Sequence, residues 1–138
     1  MKPQILFFVL NMIMSTYSID LIAQKNYCSE SYVSYTYDKQ SKKWIHSYTV
    51  DGISIKITTC FTFSSDNSTI QIKDTRSLNL TLKIDKMTYE PEKKTSIYVC
   101  NSGPNTFYNI TLDLFNNKIS LLTAGDGKII KEEYFIKE

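Results

Sequence analysis

Past the first two dozen residues, apolar and polar side chains alternate with a period of two almost without interruption, the rhythm of strands with two unequal faces. Val33, Tyr35 and Tyr37 alternate with Tyr32, Ser34 and Thr36, and Trp44, His46, Tyr48 and Val50 alternate with Ile45, Ser47 and Thr49. Asp51-Gly52 follows at once and predicts a hairpin, because both central turn residues must tolerate positive φ. The next run sets Ile53, Ile55, Ile57, Thr59, Phe61 and Phe63 against Ser54, Lys56, Thr58, Cys60 and Thr62, one face for a core and one for water.

The same rhythm predicts strands over residues 69–73, 78–84, 95–100, 106–115, 118–123 and 129–136. Turn chemistry separates them: a polar run over 64–68, Asn101-Ser-Gly-Pro-Asn105, Asn116-Asn117 and Ala124-Gly-Asp-Gly127. Pro91 marks what reads as the longest loop. Eight or nine short strands without a helical stretch between them predict an all-β domain. Its expected form is a single antiparallel meander, closed into a small barrel or folded as a sandwich.

The N-terminus breaks this pattern. Met-Lys-Pro-Gln leads into an apolar run over residues 5–14, interrupted only by Asn11, and then into the more polar Ser15-Thr16-Tyr17-Ser18. That order is the layout of a secretory signal peptide, expected over residues 1–23 and followed by one domain over 24–138. Cleavage after Ser18 is the other option. An uncleaved membrane anchor fits less well, since Asp20 is costly in hydrocarbon. A lipid-modified Cys28 would follow the bulky Lys25-Asn26-Tyr27 where small residues belong.

Export to a secreted, periplasmic or cell-envelope location lets thiols pair, and three cysteines leave one over. Cys28–Cys60, Cys28–Cys100 and Cys60–Cys100 are the possible bridges. In a strict up-and-down meander that starts at Tyr32, Cys28 and Cys100 fall at one end of the sheet and Cys60 at the other. This ranks Cys28–Cys100 first, with three free thiols as the outcome in a reducing compartment.

The stretch from Ile53 onward, through Thr69-Ile-Gln-Ile72, Tyr98-Val-Cys100, Gly103, Ile110-Thr-Leu112 and Tyr134-Phe-Ile136, resembles short exported β-meander proteins of Bacteroidetes-type bacteria. The resemblance implies a compact fold of lipocalin-like appearance and brings no activity with it. Pro104 in the Cys-containing turn, with no second Cys after it, departs from that pattern.

Charge and chemistry narrow the function by subtraction. The 16 basic and 14 acidic residues give a net charge of +2 and are interspersed, without the basic stripe a nucleic-acid footprint needs. No nucleic-acid partner is expected, and a membrane only through an unprocessed N-terminus. His46 is the single histidine, so multi-histidine metal sites are excluded and a nucleophilic scheme would rest on one mid-strand residue. The aspartates at 38, 51, 66, 74, 85 and 126 sit in or beside turns, while Asp113 falls on the wet face of its strand. Calcium-loop and phosphate-cradle motifs are missing, and no cofactor or metal is expected. Sequons at Asn67, Asn79 and Asn109 are close to the chance number for a chain this rich in Asn, Ser and Thr.

What remains is aromatic. Ten tyrosines include Tyr27, Tyr32, Tyr35 and Tyr37, with Trp44 shortly after. Such side chains suit surfaces that are apolar in the body and hydrogen-bonding at the tip, although they are also good strand formers. The expected site is an aromatic face of Tyr35, Tyr37, Trp44, His46 and Tyr48. The expected function is an exported, non-catalytic binding module for an apolar small molecule, a glycan or a protein. A structural or interaction accessory of the cell envelope is the alternative. An enzyme would need His46 in a pocket beside a carboxylate or Cys60.

Overall fold

The computed structural model describes residues 24–47 and 55–137. The segment expected as a signal peptide, the expected Asp51-Gly52 turn and Tyr48 lie outside the described residues. Nine antiparallel strands follow one another: β1 (Lys25–Asp38), β2 (Lys43–His46), β3 (Ile55–Phe63), β4 (Thr69–Asp74), β5 (Asn79–Glu90), β6 (Thr95–Asn101), β7 (Phe107–Asp113), β8 (Lys118–Gly125) and β9 (Lys128–Ile136). From β3 to β9 each pairs with the next, and β9 returns to β1. The meander therefore closes as a barrel, and the sandwich is ruled out.

Closure has an arithmetic consequence. Antiparallel neighbours alternate in direction, so an all-antiparallel ring contains an even number of strands. One of nine consecutive strands must stay out of the cycle, and it is β2. Tyr35–Asp38 of β1 pairs with β2, and residues 25–32 of β1 pair with β3. Both partners lie on the edge of β1 that β9 does not occupy. β2 and β3 are thus both antiparallel to β1 and run in the same direction, instead of forming a hairpin with each other.

This overturns the expected Cys28–Cys100 bridge. β1 begins at Lys25, seven residues before the expected start, and β3 descends along it so that Cys28 stands directly opposite Cys60. The disulfide is Cys28–Cys60, on the outer face of the barrel. Cys100 points into the interior, fully buried and free.

Inward positions form the core. Phe61, Ile70, Leu82, Cys100 and Ile110 are completely buried, with Phe63, Ile72 and Ile119 nearly so. They meet as cross-strand partners: Phe61 opposite Ile72, Ile110 opposite Leu121, Leu112 opposite Ile119. Each such side chain contributes about 1.5–3 kcal/mol by leaving water. An eight-stranded barrel is just wide enough for side chains to fill it, and here large aromatic and branched residues do so.

Two irregularities shape the ends. Register shifts occur between Ser29 and Ser31 in β1 and between Ile84 and Lys86 in β5. The Pro91 segment is a short 3-10 turn over Pro91–Lys93, because β5 runs on to Glu90, six residues past its expected end. Asp126-Gly127, both at positive φ (48° and 74°), closes the β8–β9 hairpin as the two-residue turn that matches strand twist.

Candidate functional site

Among the described residues, three places on the barrel gather candidate side chains. The first is the expected aromatic face. Tyr35 and Tyr37 alternate outward along β1 and stand opposite His46 and Trp44 of β2. The Tyr35 and His46 rings are 4.5 Å apart and tilted, and the Tyr37 and Trp44 rings are 5.3 Å apart and edge-on. Below the hairpin, Thr36 Oγ1 and Ser47 Oγ are 2.6 Å apart. Four of the five expected residues are thus neighbours.

Closure adds a residue that the local pattern does not contain. β9 places Lys131 opposite Tyr35, and its Nζ lies 4.7 Å from the Tyr35 ring centre and 5.1 Å from that of Trp44. A cation over two ring faces is attracted by both quadrupoles. Glu133, 3.5 Å from Lys131 and 3.5 Å from Lys118, holds it from the other side.

The second place is the barrel end where β1 starts. β4 begins at Thr69, opposite Lys83, while β5 and β6 continue to Glu90 and Thr95. The inward positions of that overhang, Met87 opposite Tyr98 and Tyr89 opposite Ser96, have no β4 across from them. They wall a groove of about 280 Å³ whose floor includes Phe63, Tyr98 and Leu112, with Leu114 on the far side and Lys25, Ser64, Ser65 and Asn67 along the rim. The Phe63 and Tyr98 rings are 5.0 Å apart. Burial raises the Tyr98 phenol pKa, opposed by a hydrogen bond with Ser96. Met87, Tyr89 and Leu114 remain 41%, 55% and 41% exposed.

The groove was not visible in the sequence pattern. The bulge at Ile84–Lys86 shifts the alternation of β5, so Met87 and Tyr89 rejoin the inner face out of phase with Leu80, Leu82 and Ile84. The one available signal was that alternation resumes after Asp85.

The third place lies at the other end, where Glu132 faces inward. Tyr134 Oη donates to Glu132 Oε2 at 3.0 Å, and Tyr134 stacks on Tyr32 at 5.1 Å. Arg76 Nη2 donates to Tyr32 Oη at 3.4 Å and pairs with Asp74 at 3.3 Å. Desolvation raises the Glu132 pKa, against the hydrogen bond from Tyr134 and the field of Arg76. Desolvation, then the Glu132 charge, raises that of Tyr134 far above the phenol range. Asp74 is lowered chiefly by the Leu78 amide. This cluster satisfies polar groups inside the barrel and has no groove beside it among those described above.

The nucleophile and base candidates named from the sequence lie apart from one another among the described residues. Cys60 is tied to Cys28, and Cys100 faces the core with its thiol pushed up to about 11 by burial, the inert state for a cysteine. His46 packs on Tyr35 on the outside of the barrel. Asp113 accepts from the Asn116 amide and side chain, as turn chemistry demands. Among the described residues no three His, Cys, Asp or Glu side chains group as metal ligands, and no helix is long and apolar enough to cross a membrane. Comparison with protein-family models, curated proteins and solved structures gives no match.

Proposed function

We propose that the chain is an exported, non-catalytic binding module that takes a small apolar ligand at the open end of the barrel. The observation that carries this reading is the overhang of β5 and β6 past β4. It leaves Met87 and Tyr89 on the inner face of β5 beyond the last β4 pair, Thr69 with Lys83, so that β4 does not cover them. Ligand sites are concave and mostly apolar with a few polar groups, and barrel mouths are among their usual places. The groove has that composition, and its volume of about 280 Å³ suits a small molecule.

Filling of the interior by Phe61, Phe63, Ile72 and Ile110 argues for the mouth over the middle of the barrel. Export is supported by the hydrophobic N-terminal run and by the Cys28–Cys60 bridge, since such bridges persist in oxidising compartments.

Displacement of a neutral naphthylamine fluorophore tests the site. The probe is expected to bind the wild-type protein and to be lost from Met87→Asp and Tyr89→Ala, with Trp44→Ala unaffected. Equal binding by all four proteins would reject the groove.

A further inference from the structure

We infer that the outer face of the β1–β2 hairpin, together with the start of β9, is a second binding surface, one for an acidic polysaccharide bearing carboxylate or sulfate groups. Two features of different kinds coincide there. One is the pair of cross-strand aromatic couples, Tyr35 with His46 and Tyr37 with Trp44, projecting from the outside of a barrel whose core does not need them. Trp44 is 38% exposed and His46 is exposed. Aromatic rings with polar tips stack on the C–H faces of sugar rings while leaving hydroxyl groups hydrated.

The other feature is the charge around those rings. Lys131 already sits against Tyr35 and Trp44, so the face repels a cationic ligand and attracts an anionic one. Lys39 and Lys42 in the hairpin turn, Lys43 on β2 and Lys128 at the start of β9 are exposed and make no ion pair among the described residues. Register brings the two elements together: Lys43 lies opposite Asp38, and Ile130, two residues after Lys128, lies opposite Thr36.

The acids at this end do not cancel the field. Asp38 accepts from the backbone amides of Gln40 and Ser41, both at 3.1 Å, and with its pKa lowered, first by the Ser41 side chain, it stays ionised and offsets one of the five lysines. Glu133 is shared between Lys118 and Lys131. Asp126, in the β8–β9 turn, offsets one lysine.

Interleaved rings and cations would also suit single-stranded nucleic acid. The export part of the proposed function, on which this inference rests, favours the sugar polymer. The apolar groove at the opposite end plays no part in it.

Trp44 is the only tryptophan, so its emission reports on this face alone. The full chain is titrated with dextran sulfate, polygalacturonate, neutral dextran and oligothymidylate at low and moderate salt. The expected result is a Trp44 emission change with the two acidic polysaccharides, weakening as salt rises, and none with neutral dextran. Lys131→Met, which keeps the apolar stem, and Lys42→Gln with Lys43→Gln are each expected to lower affinity about fivefold or more, with an unchanged melting temperature and unchanged naphthylamine binding.

Equal response to neutral dextran, undiminished affinity in the lysine variants, or no response to either acidic polysaccharide would overturn the proposal. Tighter binding of oligothymidylate would reassign the face to nucleic acid. Absence of naphthylamine binding by the wild-type protein, with the response to acidic polysaccharide intact, would reject the mouth groove and leave this inference standing.

Discussion

Cys28 and Cys60 face each other across β1 and β3 with their Cα atoms 4.1 Å apart, on the outer surface and at the strand that closes the barrel. The bridge spans a sequence separation of 32. In the chain-entropy model a loop of that size contributes about 3.5 kcal/mol. The double variant Cys28→Ser with Cys60→Ser should lose roughly that amount in urea unfolding, with the core strands retained by circular dichroism. A loss below about 1 kcal/mol would mean that the bridge does not restrain the unfolded chain.

Cys100 should behave as the opposite kind of cysteine. It is buried against Ile84 and Tyr108 as cross-strand partners, and burial pushes its thiol up to about 11. Titration of the oxidised protein with a thiol reagent at pH 8 should find no reactive thiol in the folded state and one after unfolding. A fast native reaction would contradict the inward placement.

Glu132 is predicted to cost stability at neutral pH. Its folded pKa is raised, mainly by desolvation, so the folded state favours the protonated form. The penalty is absent below the ordinary carboxyl value of 4.5, grows as pH rises through it, and levels off above the folded pKa. Glu132→Gln should therefore melt above the wild type at pH 7 and together with it at pH 4. A lower melting temperature at pH 7 would show that the Tyr134 hydrogen bond and Arg76 outweigh burial.

Packing of the barrel interior can be tested at Phe61, which is fully buried and lies edge-on to Tyr134 with ring centres 4.8 Å apart. Phe61→Ala should cost about 3–5 kcal/mol, the transfer term plus the cavity left behind. A cost under 1 kcal/mol would point to a loosely filled barrel and return the middle of the barrel to consideration as a ligand site.

Much of this protein was legible in its order of residues, because period-two alternation is a local property and each strand displays it alone. Phe61 with Phe63, Ile70 with Ile72, Leu80 with Leu82 and Ile110 with Leu112 announced their inward faces without reference to any neighbour. The aromatic face was legible for the same reason. Tyr35 and Tyr37 on one strand and Trp44 and His46 on the next are joined by a short turn, so their meeting follows from a single hairpin.

What only the tertiary structure decided depends on which strands share an edge and where each one stops. Cys28 meets Cys60 because β2 leaves the ring and β3 takes its place along β1, a choice made by closure over eight strands. Lys131 reaches Tyr35 and Trp44 from the far end of the chain for that same reason. The mouth groove exists because β4 begins only at Thr69, opposite Lys83, while β5 runs on to Glu90, and a bulge rephases β5; the length of the overhang depends on the pairing of strands and is not written in either strand alone. Glu132 can sit inside only because the closed barrel supplies Tyr134 as a donor and Arg76 as a counter-charge. Alternation is written residue by residue, while register between distant strands is settled by the global balance of burial and hydrogen bonding.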